Sequence, residues 1–400
     1  MADVSIDATI TSLATTRVMR GVVFTTASIG YFFYMDNDGT FGYTKTADGG
    51  ATWGAQVEIY SAGNVAGADA WFDQWTPTGT GTLIHLWYFS SSDDIVFHRT
   101  LDTATDTLGT QHTVFTGTST APARGVFVSG TKTRSGYLYA AFDIDAGAEK
   151  GLYRSIDAGV NWTLLSGPFV EATIDQCLLF PASGTGDNND CWAVYQDADA
   201  DELTLKMWDS SAAGEVESAV IQAMAENVAD GTGQYGFSGS IRHSDGHLIV
   251  ASMSAYDSST NHQIFDVICP TATTFTITEK TAIASATDDH YRPQVFIDQN
   301  TNVVYVFYNG KRDGSETLAT ATKVYYTLST DGGVSWTAGD TAYMEGTAGV
   351  VVQVYAPIMG PRLYAGWRVG TTLLGNAVNS VSLATAPAGQ RLGLGLRLGL

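Results

Sequence analysis

Apolar residues along this chain gather in short, aromatic-rich runs separated by Gly, Asp, Asn and Ser. The clearest runs are 31–34, 83–89, 137–142, 192–195, 248–252, 303–308 and 363–367. A second series follows in step, at 42–46, 94–100, 151–155, 203–208, 263–267, 323–328 and 378–383. Some runs alternate apolar with polar and others are apolar throughout, as in strands whose sheets are covered on both faces. With an opening strand before each pair and often a short fourth after it, the unit repeats about every 50 to 60 residues.

A four-stranded sheet cannot bury both faces alone, but radially stacked sheets bury one another's. The pattern therefore predicts an all-β, seven-bladed β-propeller, with six blades as the alternative. Units four and seven are the least regular, and 215–230 reads as a short helix or a divergent fourth strand. A spare strand at about 4–10 is expected to pair beside 378–383 and close the ring, removing an exposed edge. The propeller should span 1–384, leaving 385–400 as a tail in which Leu392, Leu394, Leu396, Leu398 and Leu400 alternate with Gly or Arg. As a strand that tail would carry its leucines on one face. It reads either as a frayed end or as a segment docking on another subunit.

One turn is written three times, as Ser/Thr-x-Asp-x-Gly-x-x-Trp. Its copies carry Thr46, Asp48, Gly50 and Trp53; Ser155, Asp157, Gly159 and Trp162; and Ser329, Asp331, Gly333 and Trp336. Asp and Ser/Thr side chains can bond nearby backbone N–H groups, Gly takes the positive φ of the bend, and Trp folds back beside it. The pattern resembles the Asp-box of the sialidase or bacterial-neuraminidase-repeat propellers. That resemblance implies a structural hairpin at the rim of a blade, remote from the ligand site.

Composition narrows the function. Twenty basic residues against 41 acidic give a net charge of −21, which repels phosphate backbones and argues against a nucleic-acid partner. No apolar run reaches the about 18 residues of a membrane span. The start Met1-Ala2-Asp3-Val4 lacks a basic, then apolar, leader, so cytoplasmic synthesis is expected, with incorporation into a virion or extracellular assembly. Three cysteines are too few for a disulfide framework; Cys177 and Cys191 read as buried thiols or as one bridge.

Opening strands and the loops at their mouths bring together Arg20, Trp71, Asp73, Trp75, Arg124 and Asp175 as candidates for binding a sugar. Aromatic faces stack on sugar rings, and charged groups bond hydroxyls or a carboxylate. Packing between blades is the competing role. A sialidase would imply an arginine triad, a Tyr nucleophile helped by Glu, and an Asp acid/base. The family's first arginine lies in Arg-Ile-Pro, whereas here Arg20 is followed by Gly21-Val22. Arg124, Arg292 and Arg362 could form a cluster, yet no Tyr/Glu pair is placed. His290, Tyr291 and Arg292 form the densest titratable set and could serve a polysaccharide lyase, with Arg on a uronate and Tyr or His removing a proton.

His243 and His247 flank a hairpin turn, and the Asp-rich 187–190 and 197–201 read as solvated turns, so no metal or cofactor is expected. Two classes remain open. One is a non-catalytic propeller, a structural or adhesive component of an assembly that recognises a surface glycan. The other is a glycan-active lyase or hydrolase.

Overall fold

Strand Gly30–Met35 shows in miniature how the molecule is held together. All six residues are buried. Tyr31, Phe33 and Met35 enter one hydrophobic cluster, while Phe32 and Tyr34 enter another. Leu138–Asp143 and Cys191–Asp197 divide likewise, with Phe142 and Trp192 to one side and Tyr139 and Tyr195 to the other. The period-two backbone thus sends alternate side chains into the spaces on either side of its own sheet. Each large side chain so buried contributes about 1.5–3 kcal/mol.

The computed structural model describes residues 3–10, 17–36, 39–62, 64–118, 127–144, 149–166, 174–183, 187–197, 202–210, 214–223, 236–253, 262–271, 274–280, 291–310, 320–337, 341–344, 349–376 and 381–382. Among the described residues the regular structure is β, with one 3-10 turn at Asp73–Trp75. No helix among the described residues is long and apolar enough to cross a membrane.

Antiparallel sheets follow one another along the chain as consecutive up-and-down units. Six have the four-stranded form of a propeller blade, at 22–60, 127–166, 174–223, 237–279 and 291–342, and in a closing sheet described below. This corrects the expected seven four-stranded blades; the count is six, the number held as the alternative. The segment expected to form another such blade, 65–116, instead builds a six-stranded sheet. Arg17–Val18 adds to its inner edge in parallel beside Gly67 and Ala68. Its long strand Ile95–Asp102 carries two short outer partners, Thr107–Leu108 and His112–Thr116.

The closing sheet runs Val351–Tyr355, Gly366–Val369, Thr372–Gly375 and then Val4–Asp7. The N-terminal strand does complete a terminal sheet, but its partner is Thr372–Gly375 rather than 378–383. Gly370, at φ +57°, allows a tight hairpin there. Val381–Ser382 pairs instead with Arg362–Leu363 as a separate ribbon. In the fourth unit Gly214–Ala223 is a fourth strand, so 215–223 is strand and not helix, and 224–230 lies outside the described residues. Cys177 and Cys191 are free, buried thiols; their cross-strand partners are Tyr195 and Pro181, which places the two cysteines out of register.

Candidate functional site

The repeated turns are built as their residues demand. In the second copy the Ser155 hydroxyl accepts the Gly159 N–H at 2.9 Å, and Asp157 accepts the Asn161 N–H at 2.9 Å. The Asn161 backbone, its side chain and Ser155 together pull the Asp157 carboxyl down to about 2. Asp331 is pulled to the same value by the Ser335 hydroxyl and then its N–H, while Ser329 takes the role of Ser155. Thr46 and Asp48 repeat the arrangement. Trp162 and Trp336 donate their indole N–H to Gly159 and Gly333 at 2.9 and 3.1 Å. Trp53 instead sets its ring 5.8 Å from that of Tyr364.

Every copy bends through two successive positive φ values: Gly49 and Gly50, Ala158 and Gly159, Gly332 and Gly333. A Cβ on Gly50 would meet the Tyr364 ring, and one on Gly159 the His98 ring. These glycines therefore admit a side chain from the adjoining sheet as well as supplying the bend.

The candidate binding residues fall into separate environments. Arg20 is buried and fully engaged. Its Nε donates to Asp69 at 2.9 Å, Nη2 bonds the same carboxylate and donates to the Gly130 carbonyl at 2.6 Å, and Nη1 donates to the Leu179 carbonyl at 2.8 Å. Trp71 lies under the guanidinium, 4.8 Å from ring centroid to cation. Asp73 is buried too, and meets His85 at 3.1 Å and Lys132 at 2.5 Å. Burial works to raise the Asp73 carboxyl, but His85 and Lys132 outweigh it and hold it at about 2. His85 continues to His98 at 3.1 Å, and His98 lies against Trp162 of the second repeated turn.

Tyr291 and Arg292 are both buried; Arg292 takes φ +52° and donates to the Val351 carbonyl at 3.1 Å. Tyr355, buried between the influences of Arg368 and Arg292, has its phenol pushed up to about 12 by burial, which the two cations only partly offset. It therefore stays protonated at neutral pH and is not a ready base. Asp175 falls in strand Ile174–Pro181. Arg124, His290 and the leucines 392–400 lie outside the described residues. Asp187, Asp190 and Asp209 bring carboxylates within 4.8 Å of one another, with the Arg134 guanidinium donating to the Asp187 carbonyl at 2.9 Å.

Trp75 alone of the candidates borders a described cleft, of about 230 Å³. Five loops build it, each following the strand that opens its sheet's up-and-down run. They bring Phe24 and Thr25, then Phe72, Gln74 and Trp75, then His243, then Gln299 and Asn300, then Met359, Gly360 and Pro361. In an up-and-down sheet this is also the end where the third strand turns into the fourth. The cleft and the repeated turns therefore share one end of the molecule, with the Phe24 ring of the cleft 6.4 Å from that of Trp53, so this cleft is not remote from the turns as the resemblance implied for a ligand site.

The loops are cross-tied. Trp75 donates its indole N–H to the Met359 carbonyl at 3.1 Å, and the Trp75 carbonyl meets His243 Nε2 at 3.1 Å. The His243 N–H donates to Gln299 Oε1 at 2.8 Å, and Gln299 Nε2 donates to the Ile241 carbonyl at 2.8 Å. A carbonyl only accepts, so His243 carries its proton on Nε2, and Nδ1 keeps a lone pair. Burial holds the imidazole below its usual value despite the Trp75 bond. Gln74 spends its Nε2 on the Gly81 carbonyl at 3.2 Å and keeps Oε1 as an acceptor. Among the described residues, no carboxylate lines the cleft. Of the residues lining the cleft, Trp75 was legible as a site residue; His243, Asn300 and Met359 carry no local signal for it and are joined only by the fold.

No protein-family model and no curated protein matches the chain. Among solved structures it is similar to a PL25 polysaccharide lyase, an ulvan lyase, at 11% identity over 96% of this chain and 97% of that one, with a TM-score of 0.55. It is similar to the hydrazine synthase of Kuenenia stuttgartiensis at 10% identity, over 93% and 98%, with a TM-score of 0.52. A Hadza microbial sialidase matches at 10%, over 92% and 66%, with a TM-score of 0.45. At such identities the likeness shows the fold alone: this chain is an all-β propeller.

Proposed function

We propose that the chain is a carbohydrate-binding β-propeller, an adhesive or structural component of a larger assembly, which holds a sugar in the five-loop cleft without cleaving it. The observation that carries this reading is the lining of that cleft. Phe24, Phe72, Trp75, Met359 and Pro361 give it an apolar floor, and His243 Nδ1 and Gln74 Oε1 supply uncharged acceptors. Sugars present apolar C–H faces and hydroxyl donors, which such a surface matches. Hydrolysis by the two-carboxylate route needs a pair of carboxylates, and the described residues of the lining offer none. Ulvan lyase among the neighbours is glycan-active and shares this propeller architecture, which accords with a glycan as the ligand. The leucine-rich segment 391–400 is the part of the proposal that would join the propeller to another subunit.

Calorimetric titration with a panel of neutral and uronate oligosaccharides tests the cleft. Binding should weaken about fivefold for each of His243→Ala and Gln74→Ala, the loss of one hydrogen bond of about 1 kcal/mol. Saccharide binding indifferent to both substitutions, or turnover abolished by Arg292→Ala, would overturn the reading.

A further inference from the structure

At the opposite end of the sheets from the cleft, Asp94 and Glu149 come together across the junction between the six-stranded sheet and the 127–166 blade. Asp94 lies where Leu83–Ser90 turns into Ile95–Asp102, and Glu149 just before Lys150–Ser155. Between them lies Gly117. A Cβ built there would sit 2.4 Å from Asp94 Oδ2 and 2.4 Å from Glu149 Oε2, so the two oxygens are within twice that distance of each other. The missing side chain is what leaves the space between them open.

Glu149 is only 8% exposed. Its Oε1 accepts the Thr118 N–H at 2.5 Å and the Thr118 hydroxyl at 2.9 Å. Its Oε2 is buried and has no hydrogen-bond partner among the described residues. Burying a carboxylate oxygen without a donor or cation is costly. Asp94 is held in place by its own backbone, whose carbonyl accepts the Gly117 N–H at 2.7 Å.

We propose that Asp94 Oδ2 and Glu149 Oε2 jointly bind a calcium ion that ties the two sheets together at this end. Hard oxygen ligands are the donor set Ca²⁺ takes, at about 2.3–2.6 Å, and two oxygens this close can both reach one ion at that length. Thr118 fixes the Glu149 rotamer so that Oε2 faces Asp94, which makes Thr118 a positioning residue. The site is separate from the Asp187, Asp190 and Asp209 cluster, which lies beside Arg134.

The test is calcium titration of the chelator-treated full chain by calorimetry, with melting temperature followed in parallel. The expected result is saturable calcium binding with a rise in melting temperature, and at least a tenfold loss of affinity in both Glu149→Gln and Gly117→Ala. Gly117→Ala keeps both carboxylates and only fills the space, so a folded Gly117→Ala protein with normal affinity would overturn the proposal. So would the absence of calcium binding in the unaltered chain, retention of binding in Glu149→Gln, or its loss in Asp187→Asn.

Discussion

Replacing Gly159 by alanine separates two duties that the repeated turn assigns to one residue. The first is conformational: Gly159 sits at φ +92°, where an L side chain costs about 1–2 kcal/mol. The second is spatial. A Cβ at Gly159 would lie 2.3 Å from His98 Nδ1 and 2.4 Å from Cε1, well inside contact distance. The imidazole cannot simply step aside, because Nε2 is engaged with His85 at 3.1 Å and His85 with Asp73 at 3.1 Å. Overpacking of that kind costs a further 1–3 kcal/mol or so.

Gly136 provides the control. It takes φ +95°, and a Cβ there meets nothing within 4 Å. Gly136→Ala should therefore lose only the conformational part, about 1–2 kcal/mol, whereas Gly159→Ala should lose about 2–5 kcal/mol. Urea unfolding followed by tryptophan fluorescence measures both, with Trp162 reporting from beside His98. Equal losses in the two variants would refute the claim that this turn is a contact between sheets as well as a bend.

The neighbouring residue predicts the opposite sign. Ala158 takes φ +61° where the other two copies have Gly49 and Gly332, so Ala158→Gly should stabilise by about 0.5–1 kcal/mol, and a lower urea midpoint would count against it. Acid should also weaken the fold in a defined window. Burial holds His85, His98 and His243 below the ordinary histidine value, so each is neutral when folded yet protonates near 6.5 when unfolded. Their contribution is complete above that pH and is lost as pH falls below it, by up to about 1.4 kcal/mol per pH unit for each imidazole. His98→Gln should flatten the decline between about pH 6.5 and pH 5, and an unchanged slope would show that the buried imidazoles are not its source.

The sequence made the strands visible wherever a run had to be apolar on both sides, as in Gly30–Met35 and Leu138–Asp143. The repeated turns were visible because their chemistry is local, within eight residues of chain. What could not be read locally was the pairing at the margins. Arg17–Val18 is too short to show a period, and it joins a sheet by parallel pairing some fifty residues away in the chain. The last hairpin, across Gly370, placed Thr372–Gly375 ahead of the run that looked like the strand. The cleft was opaque for a related reason. His243, Asn300 and Met359 meet only because three first strands end at the same level, and nothing in each loop announces that meeting.

Arg20 shows how a buried cation is withdrawn from ligand binding. One guanidinium spans three sheets in succession, bonding Asp69 in the first, the Gly130 carbonyl in the second and the Leu179 carbonyl in the third. Asp69 answers by accepting the Gly130 N–H at 2.9 Å and the Ser129 hydroxyl at 3.0 Å. Trp71 and Phe180 sit against the cation at 4.8 and 5.5 Å. Breaking a buried pair of this kind leaves an uncompensated charge, at about 3–5 kcal/mol. A sugar carboxylate would have to displace Asp69 and three further bonds to recruit this arginine, so Arg20 is committed to joining sheets. The acceptors still open at the cleft, on His243 and Gln74, carry no charge. A ligand that binds there is therefore selected by hydroxyl donors and an apolar face, with no cation from the Arg20 network to favour an acidic sugar.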